Sequence, residues 1–186
     1  MDDIDSERTK YQKAWAIPGY ADYAPGLHEL AGALKWMQPE AGASITDWGS
    51  GSGKAADALV DRGFKVRMVD IASNAYRGKH GPVIEACLWD LPADMEATQY
   101  GYCTDVMEHI PPEHVDAVLQ GVAQRTERAC FFQIALYHDR FGAQVGAPLH
   151  LSVFPPKWWE ARLNQHFARV EYVQVRNKNL LALAHA

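Results

Sequence analysis

The sequence predicts a single α/β domain: a mostly parallel sheet with helices between its strands, closed by an antiparallel hairpin. Three observations carry this. Short apolar runs of strand length alternate along the chain with helix-patterned segments, which is the signature of parallel strands joined by crossovers. The last two apolar runs, ARVEYVQV and NLLALAHA, are separated only by RNKN and read as a hairpin that adds an antiparallel edge. No linker, low-complexity tract or internal repeat divides the 186 residues, 48% of which are hydrophobic, so one core of useful size is expected.

Taken in order, the chain opens with residues 1–43, an N-terminal segment that precedes the sheet and carries Tyr11, Trp15, Tyr20 and Tyr23. SITDW is the first strand, and KAADALVDRG an amphipathic helix closed by Gly63. FKVRMVD is the second strand and VIEACLWDLP holds the third apolar run. ADMEATQYG is too short for a convincing helix, so that side of the sheet is expected to be thinly covered. YGYCTD is the next strand, followed through VMEHIPP by a helix from about Pro112 to Arg125. ACFFQIAL reads as a buried strand and PKWWEARLNQHF as a helix before the hairpin. Between these last two lies a long connection, 137–157, rich in glycine, proline and aromatic residues. A loop of that length without clear structure of its own is usually functional or mobile.

Composition excludes several classes. A net charge of −5 and a pI near 5.9 give no general attraction for polymeric nucleic acid and leave a small-molecule partner easier to accommodate. No apolar run reaches membrane-spanning length, and the acidic opening MDDIDSERTK is unlike a signal peptide, so a cytoplasmic protein, monomeric or homodimeric, is expected. Cys87, Cys103 and Cys130 lie in apolar segments without CxxC spacing and read as reduced, buried thiols. The eight histidines show no HExxH or comparable pair, and no required metal is expected.

The chemistry concentrates at DWGSGSGK, residues 47–54, a strand-to-helix turn. Glycines there tolerate positive φ and let a ligand approach backbone N–H groups near the helix end. A phosphate-binding P-loop would need glycine at Trp48 and Ser or Thr at Ala55. The dinucleotide fingerprint survives only if it starts at Gly51 and Gly53 and takes Ala56 as its third small residue. Neither motif explains Asp47.

An acid two residues ahead of alternating glycines, D-x-G-x-G-x-G, resembles the first motif of the class I S-adenosylmethionine-dependent methyltransferases. The resemblance implies a Rossmann-like, doubly wound sheet, with Asp47, Gly49, Ser50 and Gly51 holding the methionine part of S-adenosyl-L-methionine. Asp70 stands 23 residues after Asp47, at the end of the second strand, where two carboxylate oxygens suit ribose hydroxyls; Ile71 follows it. Trp89, Asp90 and Leu91 match the family's adenine segment, although Trp89 is equally readable as core and Asp90 as a helix cap. DVMEHI resembles the segment after the fourth strand in many small-molecule methyltransferases, which brings Asp105, Val106 and His109 to the cofactor or the mouth of the substrate site and leaves Glu108 structural.

The family commonly covers its site with the region before the sheet, so Tyr11 and Trp15 are expected nearest the cofactor. The reaction implied is methyl transfer to an O or N atom of a small molecule, releasing S-adenosyl-L-homocysteine. A histidine titrates near neutrality and can take the acceptor's proton; His150 is the first candidate and His109 the second. Two alternatives stay open: an NAD-dependent oxidoreductase on a similar sheet, and a non-catalytic S-adenosylmethionine-binding protein.

Overall fold

A computed structural model of the chain describes residues 3–22, 24–175 and 178–186. Tyr23 and the Arg176–Asn177 part of the hairpin turn lie outside the described residues. Seven strands form one sheet: β1 (Ser44–Trp48), β2 (Lys65–Asp70), β3 (Val83–Glu85), β4 (Thr98–Thr104), β5 (Thr126–Ala135), β6 (Arg169–Val175) and β7 (Asn179–His185). Their spatial order is β3-β2-β1-β4-β5-β7-β6. The first five pair in parallel, and the closing hairpin lays β7 antiparallel against β5 with β6 at the edge.

Period-2 alternation in the strands decides how helices are layered. Phe131 and Phe132 are neighbours in sequence yet belong to opposite faces, as do Tyr102 and Cys103. On one face, Ile45, Tyr102, Phe131 and Leu183 pack against α3 (Pro25–Met37) and α4 (Lys54–Val60) through Leu30, Ala33, Met37 and Leu59. On the other, Trp48, Cys103, Phe132 and Ala182 pack against α5 (Val115–Gln124) and α7 (Pro156–His166). The α5 residues Val115, Val118, Leu119 and Val122 repeat at helical spacing and are fully buried. Burying each such side chain stabilises the fold by about 1.5–3 kcal/mol.

Two features qualify the sequence reading. Residues 1–43 divide by role: α1 (Asp3–Ala14) and the one-turn α2 (Pro18–Ala21) lie apart from the sheet, whereas α3 is one of its packing helices. Pro25 opens α3 at its first turn, where no N–H is needed, and Gln38 in left-handed geometry (φ 49°) ends it with an N–H bonded to the Leu34 carbonyl. As expected, no helix joins β3 to β4; residues 86–97 run as turns, with Leu88, Leu91 and Met95 lying on the core. The short α6 (Gly142–Val145) is the helical part of the 137–157 connection.

No helix among the described residues is long and apolar enough to cross a membrane. Cys87, Cys103 and Cys130 are free and buried.

Candidate functional site

Parallel pairing in register brings the carboxyl ends of β1, β2 and β4 to one edge of the sheet: Trp48 lies beside Val69 on one side and Cys103 on the other. Crossovers run one way from β1 to β2 and the other way to β4, and a crevice opens where the direction switches. Two adjoining cavities occupy it. The larger, about 690 Å³, is lined by Asp47 and the glycine turn together with Tyr137, Phe141 and His150. The smaller, about 90 Å³, is lined by Asp70, Ile71, Leu88 and Trp89. Trp15, Tyr20, Gly49, Asp105 and His109 border both, so the two are parts of one groove.

The glycine turn is shaped by close approach. Gly49 has φ +71°, and a Cβ there would meet Val106 at 2.4 Å; Gly51 has φ +50°, and its Cβ would meet the Trp15 indole at 2.8 Å. Four of its N–H groups, however, are used inside the fold. Those of Gly49 and Ser50 donate to the Val69 carbonyl, that of Gly51 to Asp70 Oδ2 at 2.8 Å, and that of Gly53 to the Ser50 carbonyl. These four N–H groups are spent within the fold because the turn folds back on the end of β2, while those of Lys54, Ala55 and Ala56 stay at the open end of α4. Carboxylates supply the polarity of the groove instead.

Asp47 is buried, with Oδ2 lacking any hydrogen-bond partner, and burial followed by the nearby Asp70 charge pushes its pKa up to about 7. Asp70 also accepts from the Ala72 N–H at 2.9 Å; burial nevertheless raises it to about 6. Asp105 holds a left-handed backbone (φ 53°), unusual for a residue with a Cβ, and accepts from Gln133 Nε2. Burial raises its carboxyl to about 6. Behind it, Glu108 is fully buried and held well above its ordinary pKa by burial and then by Asp105. Among the described residues, none of these four acids has a Lys, Arg or His ion-pair partner. Lys54, Arg140 and Lys178 also line the larger cavity, so the negative charge is concentrated at the strand ends, where it suits a ligand that carries positive charge.

The other wall comes from distant parts of the chain. Tyr11 of α1 donates its hydroxyl to the Leu149 carbonyl (3.3 Å), and its ring meets His109 edge-on with centroids 5.6 Å apart. Trp15 packs on Tyr20 and Tyr20 on Phe141, so α1 and α2 reach the 137–157 connection through aromatic rings. Asp139 organises that connection. Burial opposes its charge, but the N–H groups of Gly142, His150 and Leu149 reverse this and hold it below the usual carboxylate range.

His109 and His150 stand 4.7 Å apart, ring to ring. His109 Nδ1 lies 3.0 Å from the Leu149 carbonyl and His150 Nδ1 2.6 Å from that of Tyr137. A carbonyl only accepts, so each Nδ1 carries the proton and each Nε2 keeps a lone pair. Burial, then repulsion from His150, lowers His109 to about 3; burial also lowers His150, which is half-exposed at the cavity.

Most residues anticipated from the sequence therefore meet here: Asp47, Gly49, Ser50, Gly51, Asp70, Ile71, Trp89, Asp105, Val106, Tyr11, Trp15, His109 and His150 all border the groove. Asp90 and Leu91 do not. A tight turn pairing Cys87 with Asp90 leaves Asp90 exposed and sets Leu91 on the core, so that Leu88, not foreseen, faces the groove beside Trp89. Its signal was present as an apolar residue before Trp89, but apolar residues on strand-like runs do not announce which cavity they face. Tyr20 and Phe141 were visible only as aromatics in irregular segments.

No family model matches the sequence, and no curated protein matches it. Solved structures do match in fold. Magnesium protoporphyrin IX methyltransferase (ChlM) from Synechocystis PCC 6803, with bound SAM, superposes with a TM-score of 0.71 at 16% identity, covering 100% of this chain and 98% of that one. The DhpI–SAH complex gives 0.73 at 15% identity over 97% and 95%. A SAM-dependent methyltransferase from Archaeoglobus fulgidus gives 0.67 at 12% identity over 86% and 92%. The chain thus has the Rossmann-like fold of the class I S-adenosylmethionine-dependent methyltransferases.

Proposed function

We propose that the protein is an S-adenosylmethionine-dependent methyltransferase that moves a methyl group to an O or N atom of a small molecule in the cytoplasm. The observation that carries this reading is Asp47: a buried carboxylate with one oxygen unpartnered, opening on the same groove as Asp70. A cationic ammonium answers the first carboxylate and vicinal hydroxyls the second. The pyrophosphate of a nicotinamide cofactor would instead face Asp47 and Asp105, like charge against like, with the N–H groups of Gly49, Ser50, Gly51 and Gly53 already used. Three buried free thiols fit a reducing compartment.

When bound, S-adenosylmethionine supplies an activated methyl group on a sulfonium. Asp47 would hold the amino acid end, Asp70 the ribose, and Ile71, Leu88 and Trp89 the base. The smaller cavity, about 90 Å³, has less room than an adenosine needs, so Tyr11 and Trp15 give way on binding. The segment that carries them, α1 and the turn after it, allows this, since it meets the body through side-chain contacts such as Tyr11 to Leu149 and Asn74 to the Gln12 carbonyl. The acceptor would lie in the larger cavity between Leu27, Tyr137 and Phe141, a planar or apolar body with a polar handle. Alignment provides most of the acceleration, and His150 Nε2 takes the proton of a protonated acceptor.

Calorimetric titration with S-adenosylmethionine, S-adenosylhomocysteine and NAD(H) tests the reading. Micromolar binding of the first two supports it; binding of NAD(H) alone overturns it. Product formation with a panel of phenol, carboxylate and amine acceptors separates an enzyme from a cofactor-binding protein without turnover.

A further inference from the structure

We propose that Glu108, His109 and His150 form a site for a divalent transition-metal ion, of the zinc, cobalt or nickel kind, in the wall of the larger cavity. The three residues come from two distant segments, Glu108–His109 and His150, which is why no ligand spacing marks them in the sequence. Each can offer a ligand atom, and these atoms lie within 4.8 Å of one another. Ligands around a tetrahedral zinc stand closer than that, so rotamer adjustments of about 1 Å close the set on an ion with bonds of about 2.0–2.2 Å.

Two independent features point to a ligand there. Glu108 is fully buried beside a second carboxyl, Asp105, and has no Lys, Arg or His ion-pair partner among the described residues. An acid so placed is costly unless something cationic or a proton answers it. Both imidazoles, moreover, have Nδ1 tied to a backbone carbonyl, Leu149 for one and Tyr137 for the other. That is the outer support that metal-bound histidines generally have, fixing the tautomer so that Nε2 is the free donor. An N₂O donor set suits borderline ions of this kind rather than magnesium or calcium, which prefer oxygen alone. His109 and His150 line the larger cavity, so with three protein ligands the fourth position would be open there to an oxygen or nitrogen of a bound molecule.

The site does not depend on the identity of the methyl acceptor, and it constrains the chemistry proposed above. Ligation uses the same Nε2 lone pair that His150 needs to accept a proton, so the two roles exclude each other at any instant. A metal-loaded protein has no histidine base.

The test is titration of chelator-treated full-length protein with Co²⁺, followed by the visible d–d absorption of a low-coordinate ion, and with Zn²⁺ by calorimetry. One equivalent is expected to bind at micromolar affinity or better. His109→Ala and His150→Ala should each weaken binding by about 100-fold or more, beyond the 10–100-fold typical of losing only an outer partner. Glu108→Gln, nearly isosteric, should weaken it while circular dichroism stays unchanged. His138→Ala, on the same loop but outside the trio, should leave it intact. Absence of Co²⁺ binding, or binding unaltered in His150→Ala, overturns the proposal. S-adenosylhomocysteine binding measured in chelator keeps the two readings apart: retained without any metal uptake, it removes the metal site alone, and metal uptake without it removes the methyltransferase reading alone.

Discussion

The two sides of the groove are built differently. Its cofactor side consists of short turns attached to the ends of β1, β2 and β4, where parallel register fixes Asp47, Asp70 and Asp105 relative to one another. Its acceptor side consists of the 137–157 connection, while α1 and α2 roof both cavities and meet that connection through single long-range contacts such as Tyr11 to Leu149, 138 positions apart. A side chain on the first is positioned by the ladder of the sheet. On the second it is positioned by rings and by one carboxylate, Asp139. Changes on the cofactor side should therefore act on binding in a nearly all-or-none way, and changes on the acceptor side on turnover and in smaller steps.

The largest effect is expected from Asp70→Ala, which removes a carboxylate that also anchors Gly51 and Ala72; affinity for S-adenosylmethionine and its product should fall by about 100-fold or more by calorimetry. An affinity within threefold of the native value would mean that the ribose lies elsewhere. Gly51→Val forces a β-branched residue to φ +50° and against Trp15, and should abolish product binding as completely.

Next comes His150→Ala. Turnover with an identified acceptor should fall by about 10²-fold while product affinity stays within twofold, the split expected for a base that does not touch the cofactor. A joint loss of both would erase the distinction between the two sides.

Asp47 yields a subtler pair of outcomes. Its folded pKa, about 7, lies above the unfolded value near 3.9, so the folded protein binds the extra proton. Ionising it costs free-protein stability as pH rises from about 4 to 7, whereas an ammonium needs the ionised form. Asp47→Asn should thus stabilise the ligand-free protein by about 1–3 kcal/mol in urea at pH 8 and yet weaken product binding. In the native protein, product affinity should decline as pH drops below about 7. A flat profile between pH 5 and 8 would detach Asp47 from the ligand.

The same contrast explains what could be read without coordinates. Asp47, the glycines, Asp70 and Asp105 lie at strand ends, and one strand–turn–helix unit has a nearly fixed length, so their spacing in sequence is their spacing in space. The order of elements and the closing hairpin were legible for the same reason. That Asp90 and Leu91 border neither cavity could not be read, because the tight turn after β3 rotates consecutive side chains by an amount no periodicity encodes. The pairing of His109 with His150 was out of reach, since it depends on how a long connection returns over the end of β4. The division of residues 1–43 between a roof and a sheet helix was missed because α3 shows its apolar face only once the sheet opposite it is known.

The turns between β3 and β4, which stand where a covering helix would otherwise lie, leave Leu88, Val106 and Ile110 with a double allegiance: each belongs to the main apolar cluster and also borders the smaller cavity. There is no insulation between the tightly packed interior and the guest. A nucleobase seated there would complete the interior as one more apolar plug, and heat resistance and occupancy would rise and fall together.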